Sequence, residues 1–399
     1  MRVKDKIKLM SRGGNNKPPI FNTNSIVLAG DSITAANIGL DFNPTQTSVS
    51  NLGYFTWANI FLRQRFKVVK VSGVVGNTIS QLKSRLKTDV LDYSPQYCFL
   101  TIGINNIRNG DTSDVIIPQL DELYNTLISN QIAPIITTLT PANSTGGVDT
   151  PAKKKAWCEV NSWIRKFAQE NNVFLVDFAK VLTNPTTSDP IADVMRTDGL
   201  HPSAYGGFVM GKEIYNQLNS YIKPIDLFAV SNSDSSVLNQ NSMMLGDVNG
   251  IATGWSIGGG ANTPSKITIR PDGQLGELQR IVTTTTTETS FNSSTISTGF
   301  SVGDTVYALV ELFIGNVTVP FTNITVYVTA SNSSYAYLSA RNVLNFESSN
   351  SGALNVGNWS GVIRTPNFLL PANSAKLSMS VKITGVGTVD VGKFELRKI

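Results

Sequence analysis

The order of strand-like and helix-like segments is the feature that most limits the fold of this chain. From Asn24 to about Lys223, short apolar runs alternate with stretches whose apolar residues recur at helical spacing. The predicted strands are Ser25–Ala29, Lys67–Val71, Tyr97–Ile102, Ala133–Thr138 and Val173–Asp177. The predicted helices are Phe55–Phe66, Ile79–Thr88, Val115–Asn130, Ala152–Glu170 and Ala204–Ile222. This alternation predicts an α/β fold in which helices cover both faces of a parallel sheet, with ligands at the carboxyl ends of its strands.

The pattern changes after Pro224. The polar stretch Ser231–Ser242 predicts a linker, and short β-type runs separated by Gly, Asn and Pro follow it without helical periodicity. These runs are Ser265–Arg270, Gln279–Thr287, Val306–Ile314, Ile324–Ala330, Tyr335–Ala340, Leu377–Thr384 and Val389–Leu396. We therefore predict an α/β domain over 23–230, a linker over 231–242 and a jelly-roll-like, all-β sandwich over 243–399.

Charge is concentrated at the start of the chain. The net charge is +5, and the first twenty residues alone account for it, so the remainder is neutral overall. We interpret 1–22 as a basic, solvated leader and expect no nucleic-acid partner.

The two cysteines and the lengths of the apolar runs argue against several classes of protein. Cys98 lies in an apolar run and Cys158 in a helical pattern, which favours two buried free thiols over a disulfide. No Cys/His cluster suggests zinc. The sequence contains neither a signal-peptide-like apolar stretch nor a run long enough to span a membrane, so we expect neither classical secretion nor a membrane span.

Histidine occurs once, in Asp198-Gly-Leu-His201-Pro. A carboxylate three residues before an imidazole can hold its Nδ1–H and leave Nε2 free. Far upstream, Ser32 lies in a Gly-Asp-Ser turn that ends the first predicted strand. These residues supply a nucleophile, a base and an acid that orients the base.

Two further turns follow predicted strands. Gly76 lies in Gly-Val-Val-Gly-Asn-Thr after the second strand, where a backbone N–H can approach a ligand closely. Asn105 follows the third strand, and its amide could donate to a developing oxyanion. Each turn could equally be only a tight connection between a strand and a helix.

Together these motifs, in the order Ser, Gly, Asn, then Asp and His, resemble the SGNH (GDSL) hydrolase family over about residues 24–222. The resemblance implies a flavodoxin-like α/β/α domain that hydrolyses esters, often by removing acetyl groups from sugars, without a cofactor. Ser32 would be the nucleophile, His201 the base and Asp198 its orienter. The backbone N–H groups of Ser32 and Gly76 and the Asn105 side chain would form the oxyanion hole. Gly-x-Ser-x-Gly is absent from the predicted α/β region and occurs only at Gly254–Gly258 and Gly299–Gly303, within the β-type half. Its absence from the α/β region argues against the alternative α/β-hydrolase fold.

The sequence departs from the family pattern at two positions. Asn106 replaces the usual aspartate of the third motif, and Val71 stands where the second motif usually has an asparagine. Since the Asn106 position supports the loop, we expect this change to affect rate or stability and leave activity in place.

Aromatic residues of the second half could stack on sugar rings or pack within the sheets. They are Trp255, Tyr307, Tyr327, Tyr335, Tyr337 and Trp359. By architecture, this half resembles the carbohydrate-binding or tail-type sandwiches found beside esterases of the family.

The sequence thus predicts a serine esterase whose partner is an acylated, above all acetylated, glycan. The alternatives are a glycan-binding or structural virion tail protein with a vestigial hydrolase domain, and a lysophospholipase-like esterase. We expect a bacteriophage virion or tail protein, and in that case a homo-oligomer, namely a trimer. Otherwise we expect an enzyme that is cytoplasmic or exported by a non-classical route. Because all proposed catalytic residues precede the linker, residues 1–230 are expected to fold alone.

Overall fold

A computed structural model describes residues 24–41, 46–225, 227–345 and 354–399. The predicted basic leader, 1–22, lies outside the described residues. The elements of the first half are β1 (Ser25–Gly30), α1 (Ser32–Ala35), β2 (Ser48–Ser50), α2 (Tyr54–Phe61), β3 (Lys67–Gly73), α3 (Ile79–Ser84), α4 (Leu86–Asp89), β4 (Tyr97–Thr101), α5 (Ile104–Asn109), α6 (Ser113–Ser129), β5 (Ala133–Thr137), α7 (Pro151–Asn171), β6 (Phe174–Val176), α8 (Phe178–Leu182) and α9 (Ala204–Leu218).

A five-stranded parallel sheet forms the centre of this half, with strand order β3-β1-β4-β5-β6. Counted along the sheet-forming strands this is the flavodoxin-like order 2-1-3-4-5, whose crevice lies where the order reverses beside β1. Helices α3, α6 and α7 pack together on one face, and α2, α8 and α9 on the other. Strand β4 is buried along its whole length because helices cover both of its sides. The predicted α/β fold is confirmed.

Two predicted helices end earlier than their apolar pattern suggests. Helix α2 ends at Phe61 instead of Phe66, since Arg63 and Gln64 have φ values of 55° and 57°. These left-handed residues turn the chain toward β3. The predicted helix Ile79–Thr88 divides at Arg85 into α3 and α4.

The two cysteines are free, as predicted. Cys98 is buried in β4, but Cys158 is exposed, so its predicted burial was wrong. Helix α7 buries the face that carries Trp157 and Val160, and Cys158 lies on its solvent side. Among the described residues, no helix is long and apolar enough to cross a membrane.

The second half contains only strands and turns within its described residues. They are β7 (Trp255–Gly259), β8 (Asn262–Ile267), β9 (Leu278–Thr283), β10 (Thr289–Ser293), β11 (Thr305–Ser331), β12 (Tyr337–Asn345), β13 (Trp359–Arg364), β14 (Phe368–Leu369) and β15 (Lys376–Lys398). Except for one parallel pair, neighbouring strands are antiparallel.

Two long strands, β11 and β15, run through the whole β-rich half. Each was predicted as two strands, but each continues through register shifts near Gly315 and Asn323. On one side of these register shifts, β13 and β9 pair with β11 and β15, respectively. On the other side, β12 pairs with β11 and β10 pairs with β15. Trp255 of β7 stacks on Phe394 of β15 with ring centroids 5.3 Å apart, so side chains from the two parts meet in a common core.

The two halves share an apolar contact. Trp359 of β13 packs against Trp57 and Phe61 of α2, at centroid distances of 5.7 and 6.2 Å. A Cβ added at Gly361 would lie 2.5 Å from the Ile60 carbonyl oxygen, so this approach requires glycine. Strand β2, from the first half, extends the second-half sheet by pairing in parallel with β12.

The segment 231–242 contains no helix or longer strand, in keeping with its irregular pattern, but it is attached to the β-rich half. The Leu238 N–H donates to the Leu396 carbonyl at 2.8 Å, and the Asn239 side chain bonds to the backbone of Phe394 and Leu396. The segment therefore lies against β15 and does not act as a free spacer.

Candidate active site

Ser32 stands at the carboxyl end of β1, where the chain turns into α1. The Asp31 side chain caps this helix by accepting the Ile33 N–H at 3.0 Å. A Cβ at Gly30 would lie 2.1 Å from the Thr101 carbonyl oxygen, so only glycine allows β1 and β4 to approach here. Local sequence therefore fixes the serine at the sheet edge.

His201 lies against Ser32, although 169 positions separate them in the chain. The His201 Nε2 is 2.8 Å from the Ser32 Oγ, and its Nδ1 is 2.7 Å from the Asp198 Oδ2. With Nδ1–H donated to Asp198, Nε2 is left to accept the serine proton. The three predicted catalytic residues thus form one continuous hydrogen-bonded chain.

The loop that carries Asp198 and His201 is fixed by its own backbone. Asp198 Oδ1 accepts the N–H groups of Leu200 and His201, both at 2.9 Å. Burial by itself would raise the Asp198 pKa, but these N–H groups and the His201 ring hold that pKa below its usual value. Asp198 is therefore a carboxylate near neutral pH and can stabilise an imidazolium.

The Gly76 turn lies against the end of β1, because the Val74 N–H donates to the Gly30 carbonyl at 3.1 Å. Gly76 is exposed and has a φ of 77°, a conformation that favours glycine. Asn105, at the start of α5, donates its Nδ2 to the Asn77 carbonyl at 3.0 Å. The structure thus places the Asn105 amide beside this turn and this turn beside the serine.

Asn106 links two loops of the site. Its Oδ1 accepts the Ile79 N–H at 3.0 Å, and its Nδ2 donates to Asp111 at 2.8 Å. An aspartate at position 106 could also accept the Ile79 N–H, but its negative charge would repel Asp111. The side chain is buried, and both ends of its amide are used, in keeping with a role in supporting the loop.

Two arginines of the site were missed by sequence reasoning. Arg108 donates to Asn105 Oδ1 at 2.9 Å and to the Gly146 carbonyl at 2.8 Å, which fixes the direction of the Asn105 amide. Its spacing of three residues from Asn105 on one helix was an available signal. Arg85 joins the Gly30 carbonyl to the Asn77 side chain, at 2.8 and 2.9 Å, and only the tertiary fold shows this.

Asp31 is a buried carboxyl directly beside the serine. Burial raises its pKa from 3.8 to about 7, against the lowering effects of the Ile33 N–H and of Arg108. Its Oδ2 has no hydrogen-bond partner among the described residues. A large fraction of Asp31 is therefore protonated at neutral pH.

The rim beside the serine is apolar and open. Val75, next to Gly76, is 76% exposed, and Val74 and Ile38 are also exposed. His201 is partly exposed and Asp198 is exposed, so the edge that carries the predicted catalytic residues faces solvent.

Residues 28–207 match the model of the GDSL-like lipase/acylhydrolase family. The first half of the chain therefore contains a domain of this family. The match includes the Gly-Asp-Ser turn, both further turns and the Asp198–His201 loop. No curated protein matches the chain.

The fold is also similar to solved structures at low identity. A putative lipolytic protein of the G-D-S-L family from Desulfitobacterium hafniense is 21% identical over 49% of this chain and 100% of its own, with a TM-score of 0.40. The lipase/acylhydrolase from Enterococcus faecalis is 21% identical over 51% and 99%, with a TM-score of 0.40. An acetyl-xylooligosaccharide esterase from Geobacillus Stearmophilus is 19% identical over 50% and 97%, with a TM-score of 0.41.

Proposed function

We propose that this chain is a serine esterase that removes acyl groups, acetyl foremost, from a carbohydrate. The observation that carries the proposal is the unbroken chain from Asp198 through His201 to Ser32, with contacts of 2.7 and 2.8 Å. These distances are those required of a nucleophile, its base and the base's orienter.

The reaction begins when the Ser32 Oγ attacks the ester carbonyl and His201 Nε2 takes its proton. The carbonyl oxygen becomes an oxyanion, which the N–H groups of Ser32 and Gly76 and the Asn105 amide would stabilise. His201 then returns the proton to the departing sugar oxygen, leaving an acyl group on Ser32. Water, activated by the same imidazole, releases the carboxylic acid and restores the serine.

Because the edge that carries Asp198 and His201 is exposed, the alcohol part of the ester substrate can be large. An exposed Asp198 and a partly exposed His201 leave room for a polymer to pass over the site. The acyl group would lie toward the Gly76 turn, beside which the Asn105 amide lies.

Release of acetate from acetylated polysaccharides tests this function. We would compare the intact chain with Ser32→Ala on acetylated xylan, acetylated glucomannan and acetylated pectin. The proposal predicts acetate release by the intact chain from at least one polymer and a loss of at least roughly 10³-fold in Ser32→Ala. Equal release by both proteins would contradict it.

The apolar rim favours one second candidate, a lysophospholipase-like esterase. Val74 and Val75 expose aliphatic groups in the turn that lies against the end of β1, and such groups could hold a longer acyl chain. A series of nitrophenyl esters from two to twelve carbons separates the candidates. A carbohydrate deacetylase would prefer the acetyl ester, whereas a maximum at eight carbons or more would favour the lipid substrate.

We also propose that the protein is part of a bacteriophage virion and forms a trimer. Both proposals rest on the pairing of a hydrolase domain with a β-rich half. Light scattering on the purified chain tests the trimer, and a monomeric mass would contradict it.

A further inference from the structure

A neutral polar groove lies in the β-rich half, away from the catalytic residues. It has a volume of about 200 Å³ and lies between the segments 238–241, 253–254 and 293–298. None of the residues that line it carries a charge, and nine of the twelve have hydroxyl or amide side chains. We name this feature the hydroxyl groove.

Hydrogen bonds hold the walls of the hydroxyl groove in place. Ser294 donates its Oγ to the Gly254 carbonyl at 2.5 Å, and Asn241 donates its Nδ2 to the Thr253 carbonyl at 2.7 Å. Ile296 exchanges two backbone hydrogen bonds with Leu377 of β15, each at 2.8 Å. These bonds within the chain fix the walls of the groove, which reduces the entropic cost of binding a ligand.

Other polar groups of the groove remain available. The side chains of Gln240, Ser297 and Thr298 are exposed and make no hydrogen bond to any other residue that the structure describes. Together they offer both donors and acceptors, the pattern that sugar hydroxyls require.

An exposed aromatic ring borders the groove. Tyr335 is 66% exposed and lies beside Lys376, the chain neighbour of Leu377, which is bonded to the lining residue Ile296. The Lys376 Nζ lies 3.0 Å from the ring centroid. Because Lys376 covers one part of the ring and most of the residue is still exposed, an apolar C–H face of a sugar can pack on the remainder.

We propose that the hydroxyl groove and Tyr335 bind a neutral segment of the polysaccharide whose acyl groups the catalytic site removes. This rests on the proposed function for the identity of the polymer. The groups that line the groove are neutral, and Lys376, the cation beside it, lies over the Tyr335 ring. This disfavours nucleic acids and acidic chains, which require several cations to pair with their charges. A volume below the roughly 300–1,000 Å³ of clefts for drug-sized ligands suits a short stretch of one chain.

Two groove variants and two controls test this binding. Tyr335→Ala removes the ring, and Ser297→Glu places a charge in the groove. Tyr337→Ala removes an equally exposed tyrosine two residues away, and Thr286→Glu adds the same charge to an exposed turn outside the groove. In the Ser32→Ala background, retention in gels containing acetylated xylan, acetylated glucomannan or acetylated pectin reports binding without hydrolysis.

We expect the gel with neutral xylan or glucomannan to retain the Ser32→Ala protein. Adding either groove substitution should weaken this retention by about fivefold to tenfold. With Ser32 present, these variants should raise the KM for the retained polymer and leave the rate on nitrophenyl acetate unchanged. Unchanged retention in both groove variants, equal losses in the controls, no retention by any polymer, or retention by pectin alone would overturn the proposal. Loss of activity on nitrophenyl acetate in the intact chain would instead contradict the esterase function.

Discussion

At the scale of residues, the candidate site depends on contacts between side chains far apart in the chain, since Ser32 and His201 are separated by 169 positions. A single histidine with Asp198 at a spacing of three, and a serine at the end of an apolar strand, were enough to nominate the triad. The bonds from Arg85 to Gly30 and from Arg108 to Gly146 join segments far apart in the chain, so no local pattern shows them. Only the bond from Arg108 to Asn105 had a local signal, the spacing of three residues on one helix. Roles inside the triad stay predictions that kinetics must test.

Asn105 and Asn106 allow a direct test of the oxyanion hole. Asn105→Ala should lower kcat by about 10²–10³ with little change in KM, because its amide binds a charge present mainly in the transition state. Asn106→Ala should have a smaller effect on kcat, since Asn106 contacts Ile79 and Asp111. Steady-state kinetics on nitrophenyl acetate measures both effects. A larger kcat loss for Asn106→Ala would show that Asn106 is the oxyanion donor and that the motif was assigned one residue out of register.

Asp31 predicts a pH dependence of stability. Its pKa is raised to about 7 in the folded chain from 3.8, so the folded state retains a proton that the unfolded state loses. Its contribution to stability is therefore present in full below pH 3.8 and is lost as pH rises through 7, by up to a few kcal/mol. Asp31→Asn should remove this loss.

The measurement is the melting temperature of both proteins between pH 4 and 8. The difference between Asp31→Asn and the unchanged chain should grow in favour of the variant as pH rises. A constant difference across this range would show that Asp31 does not titrate there.

At the scale of elements, periodicity located the strands of the α/β half well and the β-rich half less well. Buried parallel strands are short apolar runs with clear boundaries, and all five were predicted. Strands β11 and β15 were each divided in two, because glycines and polar residues that usually mark turns here mark register shifts within one strand. Strand β2 was missed, since three residues give no pattern.

The contact between α2 and β13 should stabilise the folded state of the whole chain. Trp359 is 8% exposed and packs edge-on against Trp57 and Phe61, so it does not offer a surface for sugars. Trp359→Ala should lower the free energy of unfolding by about 3–5 kcal/mol, because it leaves a cavity between the halves. The exposed Tyr337→Ala is the control, and urea unfolding compares them. Equal midpoints for the two variants would show that this contact contributes little.

At the scale of the whole molecule, the contact between the halves changes the expectation for a shortened chain. Residues 1–230 alone would expose Trp57 and Phe61 and leave β2 without its partner β12. We therefore expect this fragment to aggregate or to melt well below the intact chain. Alternation along the sequence could not show this, because it reports which face of an element is apolar but not which element covers it.

Thermal unfolding and light scattering of the fragment check this expectation. Co-expression of residues 231–399 serves as the control and should restore a soluble complex. A monomeric fragment that keeps the melting temperature and ester rate of the intact chain would contradict it.

The central claim is that Ser32 is the nucleophile of an esterase activated by His201. Covalent labelling with a fluorophosphonate, followed by mass spectrometry of the intact chain and of its peptides, tests it most directly. We expect one phosphonyl group per chain, located on Ser32. We also expect no label in Ser32→Ala and labelling at least roughly 10³-fold slower in His201→Ala, since no other histidine can act as the base. A label on another residue, or an unchanged rate in His201→Ala, would contradict it.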